Sequence, residues 1–355
     1  VTTASRPDVT AVVVNHRAAP EAALCVLSLR EAFSREGFDG EIVLVDCASG
    51  EEDVCALSAL ACDQLVALPE NRGYAGGINA GLARARGGRL LLSNADVRFL
   101  PGALTALFSE IEVPSVGAAS PLCFWDEGGS LRMPPGFAPG FLRDFAQVTT
   151  GRWPALDARR FAAFARETGR LWEDGGDAGH LVGAALAVRR DVLDRVGRFD
   201  ESFPFEYEET EWEDRVKAAG LTLRFVPRAR AHHLFARSAV RNSETERRRA
   251  QSERIYRARR YGALASAALR KARRLARSPR YPRISEPRFE PRPGTELAVS
   301  PNPSLLPFAG ASLGDGFCLP AEVLPSLSGT APLYLRVYRS HDGRPLETFI
   351  WERAA

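Results

Sequence analysis

Four short apolar runs near the start of this chain each finish on polar side chains. Thr10–Val14 ends at Asn15-His16, Glu41–Val45 at Asp46, and Arg89–Ser93 at Asn94-Ala95-Asp96, while Gln64–Leu68 leads to Asn71-Arg72-Gly73. If these runs are strands of one parallel sheet, their ends converge on a single rim. Carboxylates, amides and a guanidinium gathered there can hold a phosphorylated ligand and a divalent cation. A lone Asp after a strand is ordinarily a helix cap. Four polar ends together outweigh that explanation.

Three further segments carry chemistry. Asn71-Arg72-Gly73-Tyr74-Ala75-Gly76-Gly77-Ile78-Asn79-Ala80-Gly81 places glycines ahead of a helical pattern, where the backbone can approach a phosphate favoured by the helix N-terminus. A tight turn would need only Gly76 and Gly77. The spacing does not fit the G-x-G-x-x-G dinucleotide pattern, which counts against a nicotinamide or flavin enzyme. Phe203–Arg215 holds Glu206, Glu208, Glu209, Glu211, Glu213 and Asp214 around a helix start. Carboxylates favour that position for electrostatic reasons alone, and one of them could also act as a general base. His232-His233 follows a strand ending at Val226-Pro227; a neutral imidazole there could bind a metal or a diphosphate, although a satisfied turn is the plainer explanation. His16, His180 and His341 have no evident role.

These residues need a scaffold, and the pattern supplies one. Strand-like runs alternate with helical stretches at 21–35 and 51–60, a helix at 78–86 opened by Gly76-Gly77, and a helix that Pro101 starts at its first turn. Apolar strands between helices predict a parallel sheet covered on both faces, that is, a doubly wound α/β domain. Residues 126–179, rich in Gly, Pro and aromatics, read as an inserted loop-and-helix region. Regular structure returns with a strand at 183–189, a helix from Asp191 and a strand at 221–226. Residues 244–278 read as helical, the proline-rich stretch 279–303 as a linker, and Leu333–Tyr338 with Leu346–Trp351 as a hairpin turning at Asp342-Gly343.

The ordered set of motifs resembles the family 2 inverting glycosyltransferases of the GT-A fold, especially bacterial rhamnosyltransferase-like members. Val14-Asn15-His16, Val45-Asp46-Cys47-Ala48-Ser49, the glycine-rich segment 71–81 and Leu92-Ser93-Asn94-Ala95-Asp96 follow that family's order. So do Gly183-Ala184-Ala185, Arg189-Arg190 and Gly197-Arg198-Phe199-Asp200-Glu201. The likeness runs over about residues 9–240. It implies a GT-A doubly wound mixed sheet, followed by basic helices at 241–283 and a linker with a small β-rich region at 284–355. It also implies transfer of a sugar from a dTDP- or UDP-sugar to an acceptor hydroxyl with inversion, in cell-surface polysaccharide or glycoconjugate synthesis.

By the same resemblance, Asp46 binds the nucleotide base with Val13 and Asn15 beside it, and Arg72 contacts the nucleotide. Asn94-Ala95-Asp96 occupies the D-x-D position, with Asp96 a ligand to Mg²⁺ or Mn²⁺ and Asn94 in place of the first carboxylate. His233, with Ser238 at the family's spacing, is a further ligand to the metal or the diphosphate. Glu208-Glu209 and Glu211 fall on the family's acidic motif, where Glu stands for the usual Asp; the base is Glu209 or Glu208. The inserted region 126–179 lies on the acceptor side.

Composition narrows the rest. The chain has 355 residues, 45% hydrophobic and 26% charged, enough for a core without staples. Cys25, Cys47, Cys55, Cys62, Cys123 and Cys318 form no C-x-x-C pair, so reduced cysteines are expected. No run approaches the roughly 18 apolar residues of a membrane span, and residues 1–8 lack a signal pattern, which makes a cytoplasmic location the expectation. The net charge of +3 is uneven: residues 237–283 carry sixteen Lys and Arg against three Glu, and the remainder is net acidic. That segment suits peripheral contact with an anionic membrane and a lipid-linked acceptor, although a glycan or small-molecule acceptor fits as well. Few aromatics and an acidic body argue against nucleic acid. The C-terminal β region could serve homo-oligomerisation. Two rivals stand: a sugar nucleotidyltransferase, which lacks its basic Gly-rich loop here, and a non-catalytic nucleotide- or sugar-binding protein of the same fold.

Overall fold

A computed structural model describes residues 6–136, 139–234, 243–277, 279–321, 323 and 332–352. The chain forms two compact units, Val1–Cys123 with Gly175–Ile255, and Phe124–Asp174 with Tyr256–Ala355. The region expected as an insertion thus shares its unit with the C-terminal residues.

The first unit begins with β1 (Val9–Asn15), α1 (Ala19–Glu36), β2 (Gly40–Cys47), α2 (Glu51–Ser58), β3 (Gln64–Leu68), α3 (Gly73–Leu82) and β4 (Arg89–Asn94). Val9, Ala11, Val12, Val13, Ile42, Val43, Leu44, Val45 and Leu90–Leu92 are fully buried, as continuous apolar strands between two helix layers require. The four strands pair in parallel in the order β3-β2-β1-β4.

The glycine segment differs from expectation. Helix α3 begins at Gly73, a turn before Gly76-Gly77, and those glycines lie inside it. A Cβ on Gly77 would sit 2.7 Å from Val14 Cγ1, and one on Gly81 only 2.3 Å from Val12 Cγ1. Gly77 and Gly81 therefore form a bare stripe that lets α3 lie directly on β1 and β2. Close packing, not a turn, is what they provide here.

After β4 the chain leaves by the short turn Ala95-Asp96 instead of a crossover helix, and the parallel alternation ends. There follow β5 (Val97–Phe99), α4 (Ala103–Ile111), β6 (Val116–Phe124), α5 (Phe141–Val148), α6 (Pro154–Asp174), β7 (Gly176–Asp177), β8 (Ala185–Arg189), α7 (Arg190–Val196), α8 (Glu208–Ala218) and β9 (Thr222–His233). Strand β8 runs antiparallel to β4, and β5 and β7 run antiparallel to β9. The sheet, nine strands among the described residues, is therefore mixed and not parallel throughout. Helix α4 starts after Pro101, because Gly102 (φ 83°) occupies its N-cap in the left-handed region.

In the second unit, α5 and α6 join a five-stranded sheet, β10-β16-β15-β12-β13, built from β10 (Arg283–Ile284), β12 (Thr295–Ser300), β13 (Ala309–Ser312), β15 (Leu333–Arg339) and β16 (Pro345–Trp351). β11 (Arg288–Phe289) pairs with β14 (Phe317–Cys318). The hairpin of β15 and β16 forms as expected. The stretch 279–303, expected as a linker, instead contributes β10, β11 and β12, with prolines between the short strands. Phe161 anchors this core, its ring centroid 5.3 Å from those of both Phe308 and Tyr338. Helix α9 (Ser243–Ala272) is broken at Gly262 (φ 80°, ψ 167°). No described helix is long and apolar enough to cross a membrane.

A methyl group at Gly81 must meet Val12, and overpacking of this kind costs about 1–3 kcal/mol, more than Ala gains by helix propensity. Gly81→Ala is expected to lower the urea midpoint, while Gly88→Ala, with nothing within 4 Å, should leave it unchanged.

Candidate functional site

The ends of β1 and β2 are in register, with Asn15 opposite Asp46. Asn15 Nδ2 donates to Asp46 Oδ1 at 2.9 Å; Ser49 Oγ donates to the same oxygen at 2.5 Å, and Ser49 N to Oδ2 at 3.0 Å. A carboxylate accepts about four hydrogen bonds, so Asp46 keeps capacity for another donor. It borders a surface cleft of ≈ 710 Å³ that Ala48, Glu51, Val54, Leu68 and Pro69 also line. His16 joins the first and third strand ends: its Nδ1 lies 2.8 Å from Cys47 O and its Nε2 3.2 Å from Asn71 Nδ2. Val13 is different. It is fully buried within β1, opposite Leu44 and Ser93, and does not border the cleft.

Arg72 stands beside this rim, half-exposed, its Nη2 2.5 Å from Glu201 Oε2. Glu201 also accepts from Asn79 Nδ2 at 2.9 Å, and Asn79 Oδ1 accepts from Phe199 N at 3.2 Å. Burial alone would raise the Glu201 carboxyl, but the bonds from Asn79 and Arg72 outweigh it and hold it below its ordinary range. The glycine-rich helix and the segment 197–201 are thus stapled together. Glu201 and Asn79 were not singled out from sequence, because nothing in their spacing pairs them.

The turn after β4 is the next part of the rim. Asn94 N donates to Ala184 O at 2.9 Å and Ala95 N to Val14 O at 3.2 Å. Pairing of β5 with β9 sets Val97 opposite His233. His233 Nε2 consequently lies 3.4 Å from Asp96 Oδ1, with both residues buried. His232 pairs with Arg98 and, by strand alternation, faces the other side. Ser238 lies outside the described residues. Among the described residues no group of three or more His, Cys, Asp or Glu is arranged to hold a metal. One carboxylate and one imidazole still suit Mg²⁺ or Mn²⁺, which commonly complete their shell with water and substrate phosphates.

The acidic motif opens α8. Glu206 (φ 61°) and Tyr207 (φ 74°) both adopt the left-handed region, a strain of about 1–3 kcal/mol each for non-glycine residues. Their turn delivers Glu208 into the interior, 4% exposed, while Glu209 keeps partial exposure. Glu209 packs on Gly183, where a Cβ would lie 2.7 Å from its Cγ; Tyr74 Oη donates to Gly183 O at 3.0 Å. Burial, then the neighbouring Glu209, pushes the Glu208 carboxyl well above the usual range. Burial also raises Glu209, though the nearby His180 draws it back. Glu211 faces away: it holds Arg215 at 2.8 Å, and Arg215 in turn bonds Val196 O and Arg198 O. Trp212 Nε1 donates to Gly197 O at 2.9 Å, so a second side of α8 is fixed.

A carboxyl with a raised folded pKa binds its proton more tightly in the folded state. Stability therefore falls as pH rises from the unfolded Glu value, about 4.3, towards the raised one. Glu208→Gln is expected to raise Tm by roughly 2–4 °C at about pH 8 and to change it little at about pH 4. A lowered Tm at the higher pH would mean that the ionised carboxylate is held favourably.

Residues 10–197 match the family model described as Glycosyl transferase family 2. Succinoglycan biosynthesis protein ExoO of Rhizobium meliloti (strain 1021) is 27% identical over 202 residues, 55% of this chain and 52% of that protein. The chain thus spans about half the length of this curated relative. Among solved structures, the mannosyltransferase PcManGT from Pyrobaculum calidifontis, in complex with GDP-Man and Mn²⁺, is similar with a TM-score of 0.50 and 21% identity, over 76% of this chain and 71% of that one. At that identity the likeness speaks for the fold, a GT-A arrangement. With the family match spanning more than half of its length, the chain belongs to glycosyl transferase family 2.

Proposed function

We propose that this enzyme moves a sugar from a dTDP- or UDP-sugar to an acceptor hydroxyl by a single displacement with inversion. The observation that carries the reading is the meeting of two motifs at Gly183-Ala184: Ala184 O holds the turn bearing Asp96, and Gly183 gives room to Glu209. A candidate metal pair and a candidate base are thereby neighbours on one rim. Asp46 with Asn15 would receive the base of the nucleotide, and Arg72, Asn94 and Ala95 would border its diphosphate. Bound by Asp96 and His233, Mg²⁺ or Mn²⁺ would neutralise charge developing on the departing diphosphate. Glu209, partly exposed and the less perturbed of the pair, takes the acceptor proton as the acceptor oxygen bonds to the anomeric carbon. The bond from that carbon to the diphosphate oxygen breaks on the opposite face, its electron pair leaving with the nucleotide. Buried Glu208 holds its proton to higher pH than Glu209. Likeness to a succinoglycan biosynthesis protein and to a mannosyltransferase complexed with Mn²⁺ supports assembly of a surface polysaccharide or glycoconjugate.

The second unit by itself carries an exposed apolar and basic surface. Leu264 is 89% and Leu142 79% exposed, and Trp153, Leu156 and Leu275 are exposed as well. Arg273, Arg274 and Arg277 are exposed beside Leu275, and Arg277 N donates to Thr150 O at 3.0 Å, next to Trp153. Apolar side chains among arginines fit an anionic lipid surface that presents a lipid-linked acceptor.

Calorimetry with UDP, dTDP and GDP, with and without Mn²⁺, tests the donor site. Metal-dependent binding of one nucleotide, lost in Asp96→Asn, is expected; no binding of any would favour the non-catalytic alternative. Glu209→Gln should retain nucleotide binding yet lower kcat about 100-fold or more. Sedimentation with anionic vesicles, but not zwitterionic ones, tests the lipid surface. Combined reversal of Arg273, Arg274 and Arg277 to Glu should weaken it about 100-fold or more, since each basic residue contributes about 1 kcal/mol.

A further inference from the structure

Residues 179–181 are gripped by one face of α8. Thr210, Glu213 and Lys217, spaced at i, i+3 and i+7, all point to this short segment. Lys217 Nζ donates to Gly179 O at 2.9 Å. Glu213 is fully buried; it accepts from Leu181 N at 3.1 Å and pairs with His180 Nδ1. Thr210 Oγ1 lies 3.3 Å from His180 Nε2, and His180 itself is buried. Glu209 precedes Glu213 by one helical turn, on the same side. Glu213 and Thr210 thus hold the two ring nitrogens of His180, and Glu209 stands next to Thr210 in the first turn of the same helix. Among the described residues, Glu209 Oε2 is buried without a hydrogen-bond partner.

Complete burial of a carboxylate is costly unless it is paired, and Glu213 is paired with both the Leu181 N–H and His180. The donor site makes no use of Glu213. We infer that His180, held by Glu213 and Thr210, is a positioning residue that keeps Glu209 as the charged, acceptor-facing carboxylate of the site. The inference rests on the reading of Glu209 as the base.

The electrostatics follow the geometry. Burial disfavours a charged His180, but Glu213, and then Glu209, outweigh it, so the imidazole holds its proton above its ordinary range. The groups facing this trio are Glu208 and Lys217 on α8 and Tyr74 on α3. An imidazolium here opposes the burial that would protonate Glu209. Removal of the imidazole should raise the pH at which Glu209 ionises; removal of Glu213 would have two opposed effects, because Glu213 also repels the Glu209 charge directly.

The test is a pH titration of the Glu209 carboxyl carbon by NMR in the full chain labelled with ¹³C-glutamate, its signal identified by loss in Glu209→Gln. In His180→Gln the midpoint is expected to move to higher pH. His180→Asn, also uncharged and smaller, decides the matter if His180→Gln fails to fold. An unchanged midpoint in the folded variants overturns the inference, because a merely structural anchor would not move it. Nucleotide release from UDP-glucose or dTDP-rhamnose tests the base assignment separately: turnover retained in Glu209→Gln would remove the catalytic purpose of the clamp, whatever the titration shows.

Discussion

If β5 slipped by one residue along β9, Val97 would stand opposite His232 and the side chains of β5 would exchange faces, parting Asp96 from His233. Because strand side chains alternate with a period of two, such a slip exchanges the whole set of side chains on each face. The register Val97–His233 is held against it by burial of Val97, Phe99 and Ala231 on the inner side. Everything proposed for the metal therefore depends on a three-strand-residue pairing at the sheet edge. The remaining strand ends follow from the parallel half of the sheet, where Asn15 and Asp46 share a register position.

The second determinant is electrostatic. Glu208 and Glu209 are adjacent carboxyls in a poorly solvated place, and the two cannot both ionise cheaply. Unequal surroundings separate them: Glu208 is buried, whereas Glu209 is partly exposed and has an imidazole that draws its carboxyl back down. The left-handed pair Glu206-Tyr207 has the same origin, since it is the turn that places both at the head of the helix. Strain and buried charge at one short segment are common where function overrides stability.

Much of the first unit was legible because its signals are local. The apolar runs around Val12, Val43 and Leu91 could only be buried strands, and the polar residues after them fell on one rim. Strand direction was not legible: the run at 185–189 reads alike in either sense, and only the missing crossover after Asp96 distinguishes them. Gly76 and Gly77 read as the opening of a helix because a glycine carries no mark of which side it must leave bare. His180 and Glu213 escaped notice for a further reason. They are far apart in sequence, and only the fold brings helix and segment together. The second unit was the least readable, since its core joins Phe161 to Phe308 and Tyr338, residues with no shared period.

Helix α8 has a consequence for how acceptors are chosen. One face grips residues 179–181, while Arg215 and Trp212 tie another to the carbonyls of residues 196–198. A helix anchored on two sides carries its carboxylates as fixed points in the molecule. Glu209 therefore cannot travel to meet acceptors of different length or shape. With Glu209 as the proposed base, each acceptor would have to be delivered to it, and tolerance for alternative acceptors would reside in surfaces other than the one that takes the proton.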